Sequence, residues 1–450
     1  MNENAAHFSA FAFKSWGLSL AAAAVAALPL SFASPTPAEA ANSPALRLIK
    51  IIPINANMIN SFDISWFDAA TGLYYLGDRS NASVDVVDTT GRFTGTPDTL
   101  YTQIAGSAFN FAGDTGKTST SGPNGVVASP GGNCVFITDG PSRVVSVSTS
   151  NFLLPVSSLN TGGQFRADEL AFDPADKLLF VVNNADDPPF ATIFNVGARC
   201  DLSFQTKILF NNQSIGLPAT NGAEQPVWEP ITRHFYVSIP EIDGPGGGGP
   251  TGGVAAFTPF GKFDAFYTIN FCQPAGLTVG PNGDLLVGCN TVFDTQGNAC
   301  KAVVPSPNLP NTAAGAPATC PAYANPQSFI LNPSKGGTPV AVPGVGGGDE
   351  VWFNSGDGNY YVTAGNNPIG PTLGVIKSGA NVLTQLVPTL PPTVAVPGVH
   401  GSGTVHSVAA SSVSNHVYVP LPGNNAYTIV SNGKLVDDCA AGCIAVFSAE

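Results

Sequence analysis

Residues 222–240, GAEQPVWEPITRHFYVSIP, hold two short segments that read as β-strands, 227–228 and 235–239, joined by a turn. A carboxylate, Glu224, stands just ahead of the first segment, where an ordinary strand would begin with something neutral. The meaning of that carboxylate depends on whether the pattern recurs and on what occupies its position in other copies.

The pattern recurs. Copies read FDISWFDAATGLYYLGD from Phe62, PNGVVASPGGNCVFITD from Pro123, ADELAFDPADKLLFVVN from Ala167 and AEQPVWEPITRHFYVSI from Ala223. Three more follow: PAGLTVGPNGDLLVGCN from Pro274, GDEVWFNSGDGNYYVTA from Gly348 and VHSVAASSVSNHVYVPL from Val405. Each is a short apolar strand, a turn built from Asp, Pro, Gly or Asn, and a second strand rich in β-branched and aromatic residues. Successive copies start 44 to 74 residues apart, room for a four-stranded antiparallel sheet with variable loops. One such sheet cannot bury both faces, and packing the sheets radially removes the difficulty. The expected fold is all-β, a seven-bladed β-propeller over residues 41–450. The last copy runs short of strands, so the strand-like run ALRLIKIIPI (45–54) should complete the seventh sheet and close the ring.

Residues 1–40 read as a secretory signal peptide. Lys14 precedes the apolar run GLSLAAAAVAALPLSFA, and Ala38-Glu39-Ala40 offers a small-x-small cleavage site. No later segment is apolar for long enough to span a bilayer, so a secreted or periplasmic chain with no membrane insertion is expected. The mature chain would carry 16 basic and 28 acidic side chains, a balance that repels phosphate backbones and disfavours nucleic acid as a partner. Gly and Pro together number 89, in keeping with short strands and tight turns. The eight cysteines suit an oxidising compartment. Cys439 with Cys443 would close a small loop, Cys300 with Cys320 would staple a Pro- and Ala-rich insertion, and Cys272 with Cys289 would leave Cys134 for Cys200; spacing alone does not fix this connectivity.

Aligning the copies on their turns brings Asp63, Asn124, Asp168, Glu224, Ala275, Asp349 and His406 into register. The first strand of a propeller repeat runs nearest the axis, so these residues should ring the mouth of a central channel. Six of the seven are polar and four are acidic. Clustered carboxylates must be protonated, hydrated or bridged by a cation, and Ca²⁺ is the first expectation, with Mg²⁺, Mn²⁺ and Zn²⁺ behind it. A second polar set, Asp78, Asp139, Asn183 and Asn290, ends the second strands; here capping of turns is the favoured reading, although Asp78, Arg79 and Asn81 could also meet a substrate. Trp66, Trp228 and Trp352 fall near the ends of first strands and read as packing between blades. His406 could serve as base or ligand, with His400 six residues earlier, and His234 and His416 are expected at the surface. The glycine-rich 244–253 reads as a mobile hairpin loop.

Two copies resemble the senescence-marker-protein/gluconolactonase (regucalcin-like) family: PNGVVASPGGNCVFITD is similar to its PNG…SPDG…LYVTD segment, and AEQPVWEPITRHFYVSIP to its E-x-PVW…LLFVDIP segment. NHL and YncE-like propellers carry similar strand-turn-strand text. The regucalcin resemblance implies a divalent cation held by Asn124 and Glu224 with an Asp from another blade, assisting lactone hydrolysis. The resulting expectation is a metal-assisted hydrolase or lyase acting on a small lactone, ester or sugar-derived substrate. Glu224, Asn124 and Asp168 would hold the cation, Asp349 or His406 would move protons, and Asp63, Asp78, Arg79 and Asn183 would contact the substrate. The alternative is a non-catalytic propeller holding a small-molecule ligand or a protein partner on its loops. A quinone-dependent dehydrogenase is disfavoured, because too few basic residues fall at pocket positions to match an anionic cofactor. No nucleophile elbow, P-loop, His-Glu-x-x-His or haem-attachment string occurs.

Overall fold

The computed structural model describes residues 45–54, 58–294, 296–299, 327–367, 371–389, 405–423, 428–431 and 434–449. The segment expected to be a signal peptide, Cys300, Cys320 and His400 lie outside the described residues. Seven four-stranded antiparallel sheets form a ring. Blade 1 is Ser65–Asp68, Leu73–Asp78, Ser83–Asp88 and Thr99–Ile104, paired in that order from the axis outward. The other innermost strands are Val126–Ala128, Leu170–Asp173, Pro226–Glu229, Cys272–Val279, Val351–Asn354 and Ala409–Ala410. Each touches the next around the axis, and the last returns to the first.

Blade 7 confirms the expected closure. Its own strands, Ala409–Ala410, Val417–Leu421 and Cys443–Ser448, are completed by Arg47–Pro53 as the outermost strand, with Arg47 opposite Ser448 and Pro53 opposite Cys443. A hairpin that the sequence reading missed, Thr428–Ser431 and Lys434–Asp438, is inserted ahead of Cys443. Ile51 packs with Val419 and Phe447 on one face of the closing strand, while Ile52 packs with Tyr74 and Tyr418 on the other. Leu46 exchanges backbone hydrogen bonds with the Gln385 side-chain amide of blade 6, at 2.8 and 3.2 Å. Between blades 7 and 1, Asp98 accepts from the Tyr418 hydroxyl at 2.6 Å and meets His416 Nδ1 at 3.1 Å. His416 is therefore half-buried in a blade junction, not a surface group, and His234 is likewise partly covered beside Asp264.

The core lies between blades, because alternate residues of each strand face opposite neighbours. Phe180, Phe235 and Phe257, for example, stack across the junction of blades 3 and 4 with centroids 5.0 and 5.8 Å apart. Three of the expected disulfides form: Cys134–Cys200 joins blade 2 to blade 3, Cys272–Cys289 pins two strands of blade 5, and Cys439–Cys443 closes a tight loop beside the closing strand. They are consistent with an oxidising compartment, and no helix among the described residues is long and apolar enough to cross a membrane.

Because Ile51 and Ile52 are almost fully buried, Ile51→Ala and Ile52→Ala should each cost about 2–5 kcal/mol in urea denaturation. Phe260→Ala, at an exposed turn, should change stability by less than about 0.5 kcal/mol. Equal effects from all three would show that the closing strand does not hold the ring.

Candidate functional site

One backbone pattern sets the register at the channel mouth. The amides of Asp63, Asn124, Asp168, Glu224 and Asp349 donate to Gly77, Thr138, Val182, Ser238 and Thr363, at 2.9, 2.9, 2.8, 2.9 and 3.2 Å. Each of these five residues thus sits two positions ahead of its inner strand, anchored to the second strand of its own blade. Inner strands are also tied sideways. The Gly125 amide donates to the Asp168 carbonyl at 3.1 Å, and the Ser65 amide donates to Ser407 Oγ at 2.7 Å. A Cβ on Gly125 would lie 2.4 Å from that carbonyl, which explains the glycine of the PNG string.

The sequence-predicted ring residues do converge, but two guanidinium groups stand among them. Arg79 forms an ion pair with Asp63 and donates from Nε to Asn124 Oδ1 at 2.8 Å. Arg166 Nη2 lies 2.8 Å from Asp168 and Nη1 lies 3.6 Å from Asp63. His406 bridges two carboxylates, with Nε2 2.8 Å from Asp63 and Nδ1 2.9 Å from Asp349. Asn290 donates to Asp349 at 2.9 Å and accepts from Asn366 at 2.6 Å, so it joins the site and is not merely a turn cap. Ala275 occupies the fifth position and is buried, leaving that side of the ring apolar.

These pairings set the protonation states. Burial opposes charge on Asp63, but Arg79, His406 and Arg166 hold its carboxyl well below the usual range. Burial also opposes the charge on His406, and the Asp349 and Asp63 carboxylates outweigh it, keeping the imidazole cationic. Glu224 is pushed up to about 8 by burial and by the Asp168 and Asp349 charges, with Arg166 pulling the other way. Asp168 rises to about 6 through burial, which the Arg166 pairing only partly offsets. Just below the ring, Glu169 and Glu350 are buried beside each other, and burial followed by mutual repulsion raises Glu169 strongly.

Above the ring lies a cavity of about 290 Å³, lined by Ser61, Phe62, Arg79, Asp349, Asn366 and His406 among others. Of the residues expected to contact substrate, Arg79 reaches it, and Asp63 sits directly behind Arg79 and His406. Asp78 and Asn183 are fully buried elsewhere: Asp78 accepts from Asn81, and Asn183 bonds Thr161 and Ser142. Both hold loops, in line with the turn-capping reading. The loop at 244–253 is also not the free hairpin expected. Its Gly246 and Gly247 amides donate to the buried Glu241 carboxylate at 2.6 and 3.0 Å, Gly249 adds a third bond, and Thr220 Oγ1 adds a fourth at 2.6 Å.

The cation expectation can be tested against this donor set. Asn124 Oδ1 already accepts from Arg79 and its Nδ2 donates to the Ala167 carbonyl, while Asp168 Oδ2 is held by Arg166. Among the described residues no group of three or more His, Cys, Asp or Glu side chains is arranged to hold a metal ion. Of the oxygen atoms assigned to Ca²⁺, Asn124 Oδ1 and Asp168 Oδ2 are thus held by guanidinium groups, while Asp168 Oδ1 and the Glu224 carboxyl are not. Arg79, expected among the substrate contacts, lines the cavity, whereas Arg166, which the sequence reading missed, pairs with Asp168 and Asp63 behind it. Both flank repeat copies in the sequence, Arg79 just after the first and Arg166 just before the third, and that adjacency was the signal available for them.

No protein-family model matches the chain, and no curated protein matches it. Among solved structures, a chain of Kuenenia stuttgartiensis hydrazine synthase is similar, at 12% identity and a TM-score of 0.53, covering 81% of this chain and 94% of that one. At that identity the likeness shows a shared fold, and the regucalcin resemblance rests on its two repeats alone.

Two outcomes follow from the charges. Glu224 and Asp168 are acids whose folded-state values are raised, so their contribution to stability is full below their ordinary values near 4.5 and 3.8 and is lost as pH climbs to about 8 and about 6. Glu224→Gln should therefore melt higher than wild type at pH 8, by roughly 1–3 kcal/mol, with the difference shrinking toward pH 5. Parallel melting curves across that range would contradict the raised carboxyl. Glu241→Ala should make the glycine loop a site of rapid proteolysis that wild type lacks, because four hydrogen bonds to one carboxylate disappear.

Proposed function

We propose that the protein is an exported propeller that binds a small neutral, oxygen-rich molecule at the polar mouth of its channel, of the class of sugar-derived lactones, esters and polyols. The observation that carries this reading is the 290 Å³ cavity walled by Asp349, His406, Arg79 and Asn366, a convergent set of donors and acceptors. The cations Arg79, Arg166 and His406 are already matched by Asp63, Asp168 and Asp349, so the site has no large unbalanced charge to offer an ionic ligand.

Should turnover accompany binding, the proton-moving group is Glu224 in preference to His406, acting from the ring beside the cavity, whose lining it does not join. Both imidazole nitrogens are engaged by carboxylates and the ring stays cationic, which bars it from accepting a proton. Glu224 has no hydrogen-bond partner for its side chain among the described residues and changes protonation near neutrality. In lactone or ester hydrolysis, its carboxylate would take a proton from water as the water oxygen bonds to the carbonyl carbon. That proton would then pass to the departing alkoxide as the acyl C–O bond breaks, giving an acid and an alcohol.

The test is calorimetry with an aldonolactone, the matching sugar alcohol and an aryl ester, with hydrolysis followed in parallel. Wild type should bind the lactone and the polyol, and His406→Asn should weaken both by at least about tenfold, because the imidazolium that holds Asp349 in the cavity wall is lost. Glu224→Gln should keep binding and abolish any hydrolysis; binding without hydrolysis in wild type would assign a non-catalytic binding protein. EDTA followed by Ca²⁺ should leave the melting temperature unchanged. Absence of binding to all three compounds would refute the reading.

A further inference from the structure

The opposite end of the channel is built differently. Inner strands advance about 3.3 Å per residue, so side chains three or four positions beyond the ring lie roughly 10 Å farther along the axis. There a second cavity of about 370 Å³ opens, walled by Trp66, Trp228, Trp352, Phe172 and Phe353, with Glu169 in its lining. Trp66 and Trp352 meet edge to face at 5.1 Å. The three tryptophans do pack against the blade junctions, as expected from sequence, but each is only partly buried and turns part of its surface to this cavity.

Within this lining Glu169 stands apart. It is 4% exposed, and its Oε2 has no hydrogen-bond partner among the described residues. A buried carboxyl oxygen left without a partner is costly, and a site usually resolves that cost by supplying a donor. Glu350, against which Glu169 rests, is another carboxyl: it can share a proton with Glu169 but brings no positive charge to the pair. An apolar ligand would bury the oxygen without relieving it, and an anion would face two acids. An ammonium ion supplies both a donor and a positive charge, and indole faces are the best aromatic partners for such a cation.

We infer that this aromatic vestibule is a second ligand site, which takes an organic ammonium ion carrying an apolar or aromatic body, the nitrogen directed to Glu169 and the body held among Trp66, Trp228 and Trp352. It is separate from the polar mouth and does not depend on the function proposed for that mouth.

The tryptophans make the test direct. The sequence contains four, and the mature chain keeps only Trp66, Trp228 and Trp352, so intrinsic fluorescence reports on the vestibule. Titration with 2-phenylethylamine should give a saturable change, at least tenfold tighter than 2-phenylethanol, which has the same body without the charge. Glu169→Gln should bring the amine to the affinity of the alcohol, and Trp228→Ala should weaken both. If Glu169→Gln does not fold, wild type carries the test, with 2-phenylethylamine at least tenfold tighter than 2-phenylethanol and phenylacetate, the anion of similar body, giving no saturable change. Equal affinity for amine and alcohol in wild type, phenylacetate binding as tightly as the amine, or an amine preference that survives Glu169→Gln would each overturn the proposal.

Discussion

The pairing of Arg47–Pro53 with Cys443–Ser448 is the constraint from which the rest of the molecule follows. A radial array of sheets has no stable open form at its two ends, since the last blade would expose both an unpaired strand edge and an apolar face. Supplying the outer strand of blade 7 from the opposite end of the chain converts seven local hairpin units into one closed object. The isoleucines of that strand then bury on both faces, against blade 7 on one side and at the junction with blade 1 on the other. Only in the closed ring do side chains from Asp63 to His406, separated by 343 positions, come within hydrogen-bonding distance.

Closure also creates an electrostatic problem, and the protein answers it differently at successive levels of the channel. At the mouth, four acids from different blades are brought together, and Arg79, Arg166 and His406 enter the same volume to balance them. One level down, Glu169 and Glu350 form no ion pair among the described residues and are driven toward their neutral forms by burial, with His406 opposing this only at Glu350. Beyond them the lining becomes aromatic. A channel polar at one end and apolar at the other, with two acids between, offers two chemically distinct places for small molecules within one fold.

Much of this was legible in the chain. The strand-turn-strand copies, their spacing and the stray strand near residue 50 led to seven blades and their closure, because hairpin chemistry and two-residue periodicity are local. Asp63, Asn124, Asp168, Glu224, Asp349 and His406 were identified as neighbours for the same reason: residues at one register position of a repeat must face one axis. Arg166 was not, since it lies outside the repeat in a loop whose path is set by neighbouring blades. Its role as counter-ion to Asp168 and Asp63 therefore exists only in three dimensions.

The sequence by itself determined the architecture and the membership of the acidic ring, since repetition imposes both without reference to distant contacts. Tertiary structure alone decided how that ring is neutralised, because ion pairing depends on which side chains arrive from loops and not on periodicity. It likewise decided that the three tryptophans line a cavity as well as pack a core, since an indole at the edge of an inner strand touches the blade junction with one face and the axis with the other.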